Sequence, residues 1–413
     1  MRSLLIFLLV LRLVSLQPAW AGDLEDGVAA YKRGDYATVL RLWRPLAQSG
    51  NAQVQSALGV MYDTGTGVTQ DYQEALKWYR LAAAQGNSEA QFALGEMYRM
   101  GQGVTQDYAE VVKWYRLAAA QGRTSAQVNL GGMYDKGTGV TQDYQEAAKW
   151  YRLAAAKGDS QAQANLGVMY EKGNGVAQNH TEAVKWYRLA VAQGNALAQH
   201  NLGTMYVSGQ GVVQDFQEAA KWFRLAATQG NALAQHNLGL MYDDGKGVTQ
   251  DYKEAVKWYR MAAAQGLDTA QNNLGLIYEK GNGVTKDYKE AMKWYRLAAA
   301  QGYAGARFNL GLMYEKGEGF AQDYAEAVKW YLLAAAQGVA LAQYKLGGMY
   351  ANAQGVTRDN VRAHMWWNLA SAQGHPSAAG NRDSVANKMT PQQIAQAQEM
   401  ARRCKASNYK QCN

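Results

Sequence analysis

The sequence predicts an all-α fold of stacked helix pairs, and two periodic features support it. A Leu-Gly dipeptide begins at Leu58 and recurs every 36 residues up to Leu346, and a tryptophan follows twenty residues after each leucine. The 413-residue chain has 43 glycines, yet no proline occurs between Pro45 and Pro376. A fixed period of about 20–50 residues is typical of repeated units that bury their apolar faces against one another.

Residues 1–21 predict a secretory signal peptide cleaved after Ala21. Arg2 supplies a basic start, Leu4–Leu11 is apolar throughout, and the last three residues are a small-x-small cleavage motif. A membrane anchor is the alternative, but Arg12 ends the apolar run after eight residues, too few to cross about 30 Å of hydrocarbon. The chain is expected to be periplasmic or secreted, with no integral membrane segment after signal removal.

Residues 22–51 predict a degenerate N-terminal repeat that caps the array. Tyr36 lies 36 residues before Tyr72, and Trp43 lies 36 residues before Tyr79, so this segment keeps the register of the first full unit. Such terminal units shield the apolar face of their neighbour from water.

Residues 52–375 predict nine repeats of two short helices each. In the second repeat, Ala90, Leu94 and Met97 recur at helical spacing and define one apolar face. Gly101 is expected to end this helix, because glycine adopts the left-handed C-cap conformation without steric cost.

The second helix of each pair is predicted to begin at an acidic N-cap. Asp107 and Glu110 are expected to form a capping box, in which Asp accepts the N3 amide and Glu reaches back to the N-cap amide. Gly122 is expected to end the helix. The predicted buried stripe comprises Tyr108, Trp114, Tyr115, Ala118 and Ala119.

Residues 376–413 predict a C-terminal capping helix, from Pro391 to about Cys404, followed by a basic tail. Cys404 and Cys412 are expected to form a disulfide, because an exported chain meets oxidising conditions and the two cysteines are close in sequence. Two free thiols are the alternative.

The charge distribution argues against a nucleic-acid-binding protein. The chain has 42 basic and 34 acidic residues, and six of the basic residues lie between Arg382 and the C-terminus. The repeats are therefore nearly neutral, whereas a nucleic-acid-binding surface shows a long basic stripe.

The repeat pattern identifies a resemblance to a known family. It reads A-x-x-x-L-G-x-M-Y-x-x-G-x-G-V-x-x-D-Y-x-E-A-x-K-W-Y-x-x-A-A-x-Q-G over residues 52–375, and it is similar to the Sel1-like repeat (SLR), a relative of the tetratricopeptide repeat. The resemblance implies a right-handed α-solenoid whose first helices line a concave surface, and scaffold or adaptor work between proteins. Cysteine-rich secreted members are linked to β-lactam binding or hydrolysis, but no repeat of this chain contains cysteine.

The residues give little support for an enzyme, a cofactor or a metal. His200 and His236 occupy the same position in adjacent repeats, and packed helices lie about 8–10 Å apart, which is too far for a shared metal. The Gly-x-Gly-Val turns lack the Lys-Ser/Thr of a phosphate-binding loop. No catalytic residue, cofactor or metal ligand is predicted.

Two variable columns predict the ligand-binding surface. Positions are counted from the leucine of Leu-Gly: the core columns barely change, whereas −2 and +2 vary and carry bulky residues that stacking is not expected to use. Neutral drift on an exposed face is the alternative. The residues predicted to bind ligand are Phe92, His200, His236, Leu240, Asn272, Leu276, Phe308, Leu312 and Tyr344.

Position −1 is asparagine in six consecutive repeats. Asparagine is a mediocre helix former, so its recurrence indicates a specific role. By analogy with tetratricopeptide repeats it binds the backbone or carboxylate of a peptide; a structural hydrogen bond to the neighbouring helix is the alternative. The column comprises Asn129, Asn165, Asn201, Asn237, Asn273 and Asn309.

The sequence therefore predicts an exported scaffold that binds proteins or peptides in the bacterial envelope. Two alternatives stay open. The first is a secreted factor that binds host proteins, and the second is a peptidoglycan or β-lactam hydrolase.

Overall fold

The computed structural model describes residues 21–410 and 412. These residues form 22 α-helices and no β-strand. The helices are α1 Ala21–Arg33, α2 Tyr36–Gln48, α3 Ala52–Thr64, α4 Tyr72–Ala84, α5 Ser88–Met100, α6 Tyr108–Ala120, α7 Thr124–Lys136, α8 Tyr144–Ala156, α9 Ser160–Lys172, α10 His180–Val191, α11 Ala196–Ser208, α12 Phe216–Thr228, α13 Ala232–Asp244, α14 Tyr252–Ala264, α15 Asp268–Lys280, α16 Tyr288–Ala300, α17 Ala304–Lys316, α18 Tyr324–Ala335, α19 Ala340–Asn352, α20 Asn360–Ala372, α21 Ala378–Ala386 and α22 Pro391–Ala406. The predicted signal peptide lies outside the described residues except for Ala21.

The chain divides into two compact units. The first contains the described residues up to Met205 together with Gly209–Val213, and the second contains Tyr206–Ser208 and the described residues from Gln214 onward. Helices α1–α10 belong to the first unit and α12–α22 to the second, while α11 contributes to both.

Helices pair in the order of the chain within each unit. The nine repeats begin with α3 and α4 and end with α19 and α20. Within the two compact units, the second helix of a repeat also packs against the first helix of the next repeat. Helices α1 and α2 pack together in the segment predicted to be a degenerate repeat, and both α21 and α22 pack on α20. The predicted all-α repeat fold is confirmed.

Two glycine columns shape the repeats, except that Ala353 takes the place of the C-cap glycine in the ninth. Gly101 ends α5 in the left-handed conformation, with a φ of 69°. The glycine of Leu-Gly lets the second helix approach the first: a Cβ added at Gly95 would lie 2.5 Å from the ring of Tyr115, well inside the roughly 3.5 Å at which carbon atoms meet. A tyrosine in the second helix and a glycine in the first are therefore one packing unit.

The predicted capping box is only half present. Asp107 accepts hydrogen bonds from the amides of Ala109 and Glu110, at 2.9 and 3.2 Å. Glu110 does not return the bond to the Asp107 amide, because that amide already donates to the carbonyl of Tyr98 at 3.2 Å. Glu110 instead pairs with a lysine of the next turn. The described helix that has a complete capping box is α22, at its N-terminus.

The predicted buried stripe of α6 needs one correction. Tyr115, Ala118 and Ala119 are buried and Trp114 is half-buried, but Tyr108 is 39% exposed. Tyr108 is the first residue of its helix, so its ring lies at the rim of the repeat rather than in the core.

Candidate binding surface of the first helices

The predicted bulky residues of the −2 column are half-buried and pack within their own repeat. The ring of Phe92 stacks on Tyr115 at 5.3 Å between centroids, and Phe308 meets Tyr331 at 5.7 Å. Tyr344 stacks on His375 at 4.0 Å. The expectation that stacking does not use this column is therefore wrong. Truncating one of these residues removes core packing as well as surface.

The other predicted residues of these columns are also packed. His236 lies 5.7 Å from Tyr259, ring to ring, and Asn272 is buried with a relative exposure of 6%. The +2 leucines of three consecutive repeats pack against the core of the following pair. These leucines are Leu240, Leu276 and Leu312.

The asparagine column joins neighbouring helices. Asn201 of α11 donates to the hydroxyl of Tyr187 in α10 at 3.3 Å, and that hydroxyl donates to Glu171 of α9 at 2.5 Å. Burial, reinforced by the bond to Glu171, raises the pKa of the Tyr187 hydroxyl. The tyrosine is therefore a neutral donor held between an acid of its own repeat and an amide of the next helix.

Other asparagines of the column repeat this structural use. Asn129 reaches the hydroxyl of Tyr115 at 3.5 Å, Asn309 donates to Asn272 at 3.0 Å, and Asn273 meets His236 at 3.2 Å. The alternative of a hydrogen bond to the neighbouring helix is thus observed for these residues. Ligand binding by the column stays a prediction, and several of its side-chain amides already take part in hydrogen bonds within the protein.

Two of the cavities that the described residues form in the first-helix face exceed 500 Å³, one in each unit; a smaller one of about 120 Å³ shares Phe92 and Glu96 with that of the first unit. The first has a volume of about 750 Å³ and the second about 560 Å³. The first is lined by residues of α5–α9 with Gly132 among them, and the second by residues of α17 and α19–α21 with Gly348 among them. We call them the Gly132 cavity and the Gly348 cavity.

Both glycines occupy the +2 column, and this explains why the cavities exist. Leu312 fills that position in the eighth repeat and packs into the core that follows it. A Cβ at Gly132 would meet only the Tyr151 hydroxyl, at 3.5 Å, and a Cβ at Gly348 would have nothing within 4 Å. Neither glycine is among the predicted site residues; the signal in the sequence is the loss of a side chain in a column that otherwise carries one.

The cavities differ in charge. The Gly132 cavity is lined by two acids and two bases, and Arg99 binds Glu96 across its wall at 2.7 Å. The Gly348 cavity is lined by one acid and three bases. Its acid, Glu315, pairs with Lys345 at 2.9 Å, so the two remaining bases face no acid in the lining.

The two histidines of the −2 column are half-buried. Burial lowers the pKa of His200 and that of His236. Across residues 21–410 and 412, no group of three or more His, Cys, Asp or Glu side chains is arranged to hold a metal ion.

The C-terminal cysteines lie together at the end of α22. Their Cα atoms are 4.5 Å apart, a separation that a disulfide spans without backbone movement. Cys404 is fully buried against α20 and its neighbours. The geometry is compatible with the predicted bond, which stays a prediction. No helix in the described part of the chain combines the length and the apolar character needed to cross a membrane.

Comparison with known proteins decides the family. The Sel1 repeat model matches nine consecutive segments that run from residue 52 to residue 375, with one residue left between the second and third. The chain belongs to the Sel1 repeat family. Sel1 repeat proteins generally mediate protein–protein interactions, and the fold is typically non-enzymatic.

Two solved structures with this repeat are similar to most of the chain. The protective antigen c5321 of uropathogenic Escherichia coli, which displays an SLR fold, is 33% identical over 90% of this chain and 96% of its own, with a TM-score of 0.59. A Sel1 repeat protein of Oxalobacter formigenes is 34% identical over 74% of this chain and 88% of its own, with a TM-score of 0.56. No curated protein matches the chain.

Proposed function

We propose that this Sel1 repeat protein is an exported scaffold that binds a segment of a partner protein through its first-helix face. The two cavities carry this proposal. The Leu-Gly glycines and the aromatic rings of the second helices make the repeats close-packed, so a cavity of several hundred Å³ in both units departs from the packing of the rest. Concave, partly polar recesses of this size accept side chains of a partner.

The lining of the cavities supports recognition of polypeptide. The Gly132 cavity combines apolar walls, such as Phe92 and Val128, with the side-chain amides of Asn129 and Asn165. Apolar walls accept side chains, and amide groups both donate to and accept from a peptide backbone. The same mixture occurs around Gly348, where Trp367 and Asn352 both line the cavity.

Export is the second element of the proposal, and it rests on residues 1–21. A basic start, an apolar run and a small-x-small motif indicate processing after Ala21. N-terminal sequencing of the protein from fractionated cells tests this element. A periplasmic or extracellular protein that begins at Gly22 supports it, and a cytosolic protein that retains Met1 contradicts it.

A secreted factor that binds host proteins is the second candidate. The similarity to a protective antigen of uropathogenic Escherichia coli favours it. Recovery of the protein from the culture medium would favour this candidate, and retention in the periplasm would favour the envelope scaffold.

Site-specific photocrosslinking in living cells tests where the partner binds. A crosslinking residue replaces Lys136 or Asn352, exposed residues that line the two cavities. Matched controls replace Lys149 and Lys257, which are exposed on the second helices α8 and α14. Crosslinks from the cavity positions to one partner protein are expected, and crosslinks from the second helices alone would contradict the proposal.

A cavity-filling variant provides the second test. Gly132→Leu introduces the side chain that the +2 column carries in three other repeats, so the repeat is expected to fold. It should weaken the crosslink from Lys136. The control Thr204→Leu adds the same side chain to an exposed position of the same column and should leave the crosslink unchanged.

A further inference from the structure

Four departures from the repeat pattern converge on the Gly348 cavity. Gly348 takes the place of a leucine, and Asn360 takes the place of a tyrosine, phenylalanine or histidine ring present in all eight preceding repeats. Lys345 replaces the column asparagine, and Arg358 replaces a glutamine. All four line this one cavity. Two of the changes remove bulk and two add positive charge.

Arg358 occupies a position whose side chain forms a structural hydrogen bond in most other repeats, and Arg358 does not form that bond. In seven of the preceding repeats, the glutamine at this position donates to the backbone carbonyl seven residues earlier, at 2.6–2.9 Å. Arg358 is exposed and forms no hydrogen bond or ion pair among the described residues. Its guanidinium is therefore available at the cavity wall.

A second available cation comes from the segment between α21 and α22. Lys388 is exposed, lines the same cavity and has no acidic partner among the described residues. The other charges nearby are satisfied: Lys345 binds Glu315 at 2.9 Å, and Arg382 binds Asp383 at 2.8 Å. The cavity therefore presents two unpaired positive charges.

Neutral donors surround these charges, and the walls are fixed. Asn352, Asn360 and Ser384 line the cavity. Tyr344 is held from two sides, because Asn381 donates to its hydroxyl at 3.1 Å and Trp367 donates to its carbonyl at 3.1 Å. A rigid recess with two cations and several neutral donors is suited to carboxylate groups.

We infer that the Gly348 cavity binds carboxylate groups of an acidic segment in the partner protein. This inference rests on the proposed function and names the chemistry that one of its two cavities recognises. The carboxylates come from Asp or Glu side chains or from a C-terminus. A nucleic-acid backbone is disfavoured, because it is read by long basic stripes rather than by two cations in one recess.

Fluorescence anisotropy with the purified protein tests the inference. The probe is a short fluorescein-labelled glutamate-rich peptide, compared with its C-terminal amide and with a version in which glutamine replaces glutamate. We expect the glutamate peptide to bind and the glutamine peptide to bind at least about tenfold more weakly, as for the loss of one charge-assisted contact. The amide shows whether the C-terminal carboxylate contributes.

Matched variants localise the binding. Arg358→Glu combined with Lys388→Glu should weaken peptide binding about tenfold or more. Lys405→Glu combined with Lys410→Glu changes net charge equally at exposed residues outside the cavity and should leave binding unchanged. Gly348→Leu should weaken binding by filling the recess, whereas Thr204→Leu should not.

Three outcomes would overturn the inference. They are failure of the glutamate peptide to bind, equal losses in both charge-reversal variants, and equal displacement of the peptide by an oligonucleotide of the same charge. None of them removes the crosslinks expected from Lys136, because that residue lines the other cavity. Failure of this inference is therefore distinguishable from failure of the proposed function.

Discussion

The Gly132 and Gly348 cavities have one origin but different chemistry. Each follows from a missing side chain at the +2 position, next to the glycine of Leu-Gly. The first cavity has balanced charges with Arg99 paired to Glu96, whereas the second holds unpaired Arg358 and Lys388. In a repeat protein the core columns are occupied by stacking, so a recess and its charge are specified by a few residues that leave the fold unchanged.

Deletions within the array should have the largest effect on stability, and they distinguish the two cavities because they remove one and leave the other. Removal of Leu130–Asn165, one full period, joins Asn129 to Leu166, keeps the register and deletes the Gly132 cavity. Circular dichroism should stay helical with somewhat lower stability, and acidic-peptide binding should persist. Removal of Leu130–Ala147, half a period, should cost far more. Equal loss of helicity in both variants would contradict nearest-neighbour stacking.

Loss of the predicted disulfide should destabilise the helices around the Gly348 cavity and leave those around the Gly132 cavity unchanged. Mass spectrometry after alkylation without reductant should find no free thiol at Cys404 or Cys412. Cys412→Ser should lower the local stability of α20–α22 by about 2–3 kcal/mol on a chain-entropy estimate. Hydrogen exchange should then increase in these helices and remain unchanged in α7 and α8. Alkylation of both cysteines in native protein would rule the bond out.

Substitution by alanine should have opposite effects on stability at the glycine of Leu-Gly and at the cavity glycine that follows it. A Cβ at Gly347 would lie 2.5 Å from the Trp367 ring, and a Cβ at Gly131 would lie 2.8 Å from the Tyr151 ring. Alanine at either position should therefore cost about 1–3 kcal/mol by overpacking.

The neighbouring cavity glycines supply the matched control for that prediction. Alanine at Gly132 or Gly348 enters open space within a helix and should stabilise by about 0.5–1 kcal/mol. Urea unfolding measures all four variants. Equal destabilisation within each pair would show that the cavity glycines do not tolerate alanine.

Acidic pH should lower the stability of the helices around the Gly348 cavity only slightly. Burial lowers the pKa of His364 from 6.5, with nearby Arg382 acting in the same direction and Asp383 opposing it. As the pH falls below about 6.5, the unfolded state takes up the proton first, so stability is complete above that pH and is lost below it.

Hydrogen exchange at about pH 5.5 and 7.5 can detect this effect. Protection of α20 and α21 should fall at the lower pH, whereas α7 and α8, around a cavity whose lining lacks histidine, should not change. His364→Val introduces the residue found at this position in four other repeats and should remove the dependence. An unchanged pH dependence in that variant would assign the effect to other groups.

Local patterns in the sequence were sufficient for the fold. The 36-residue period, the C-cap glycines and the acidic N-caps each act over a few residues, and they recur in most repeats. The end of α5 at Gly101 and the extent of α22 from Pro391 follow from such signals. They are readable because helix initiation, helix termination and the spacing of apolar residues depend on chemistry close in the chain.

Tertiary structure decided the site, because its features depend on residues from several helices. Glu110 does not close a capping box, since the carbonyl of Tyr98 in the preceding helix already accepts the amide it would bind. Phe308 packs on Tyr331 instead of standing free. The cavity at Gly348 appears only when α17, α19, α20 and α21 are assembled. By itself the sequence determined the repeat and the signals that begin and end its helices, although it did not reveal α21; which side chains remain available to a partner was decided by what the neighbouring helices had already used.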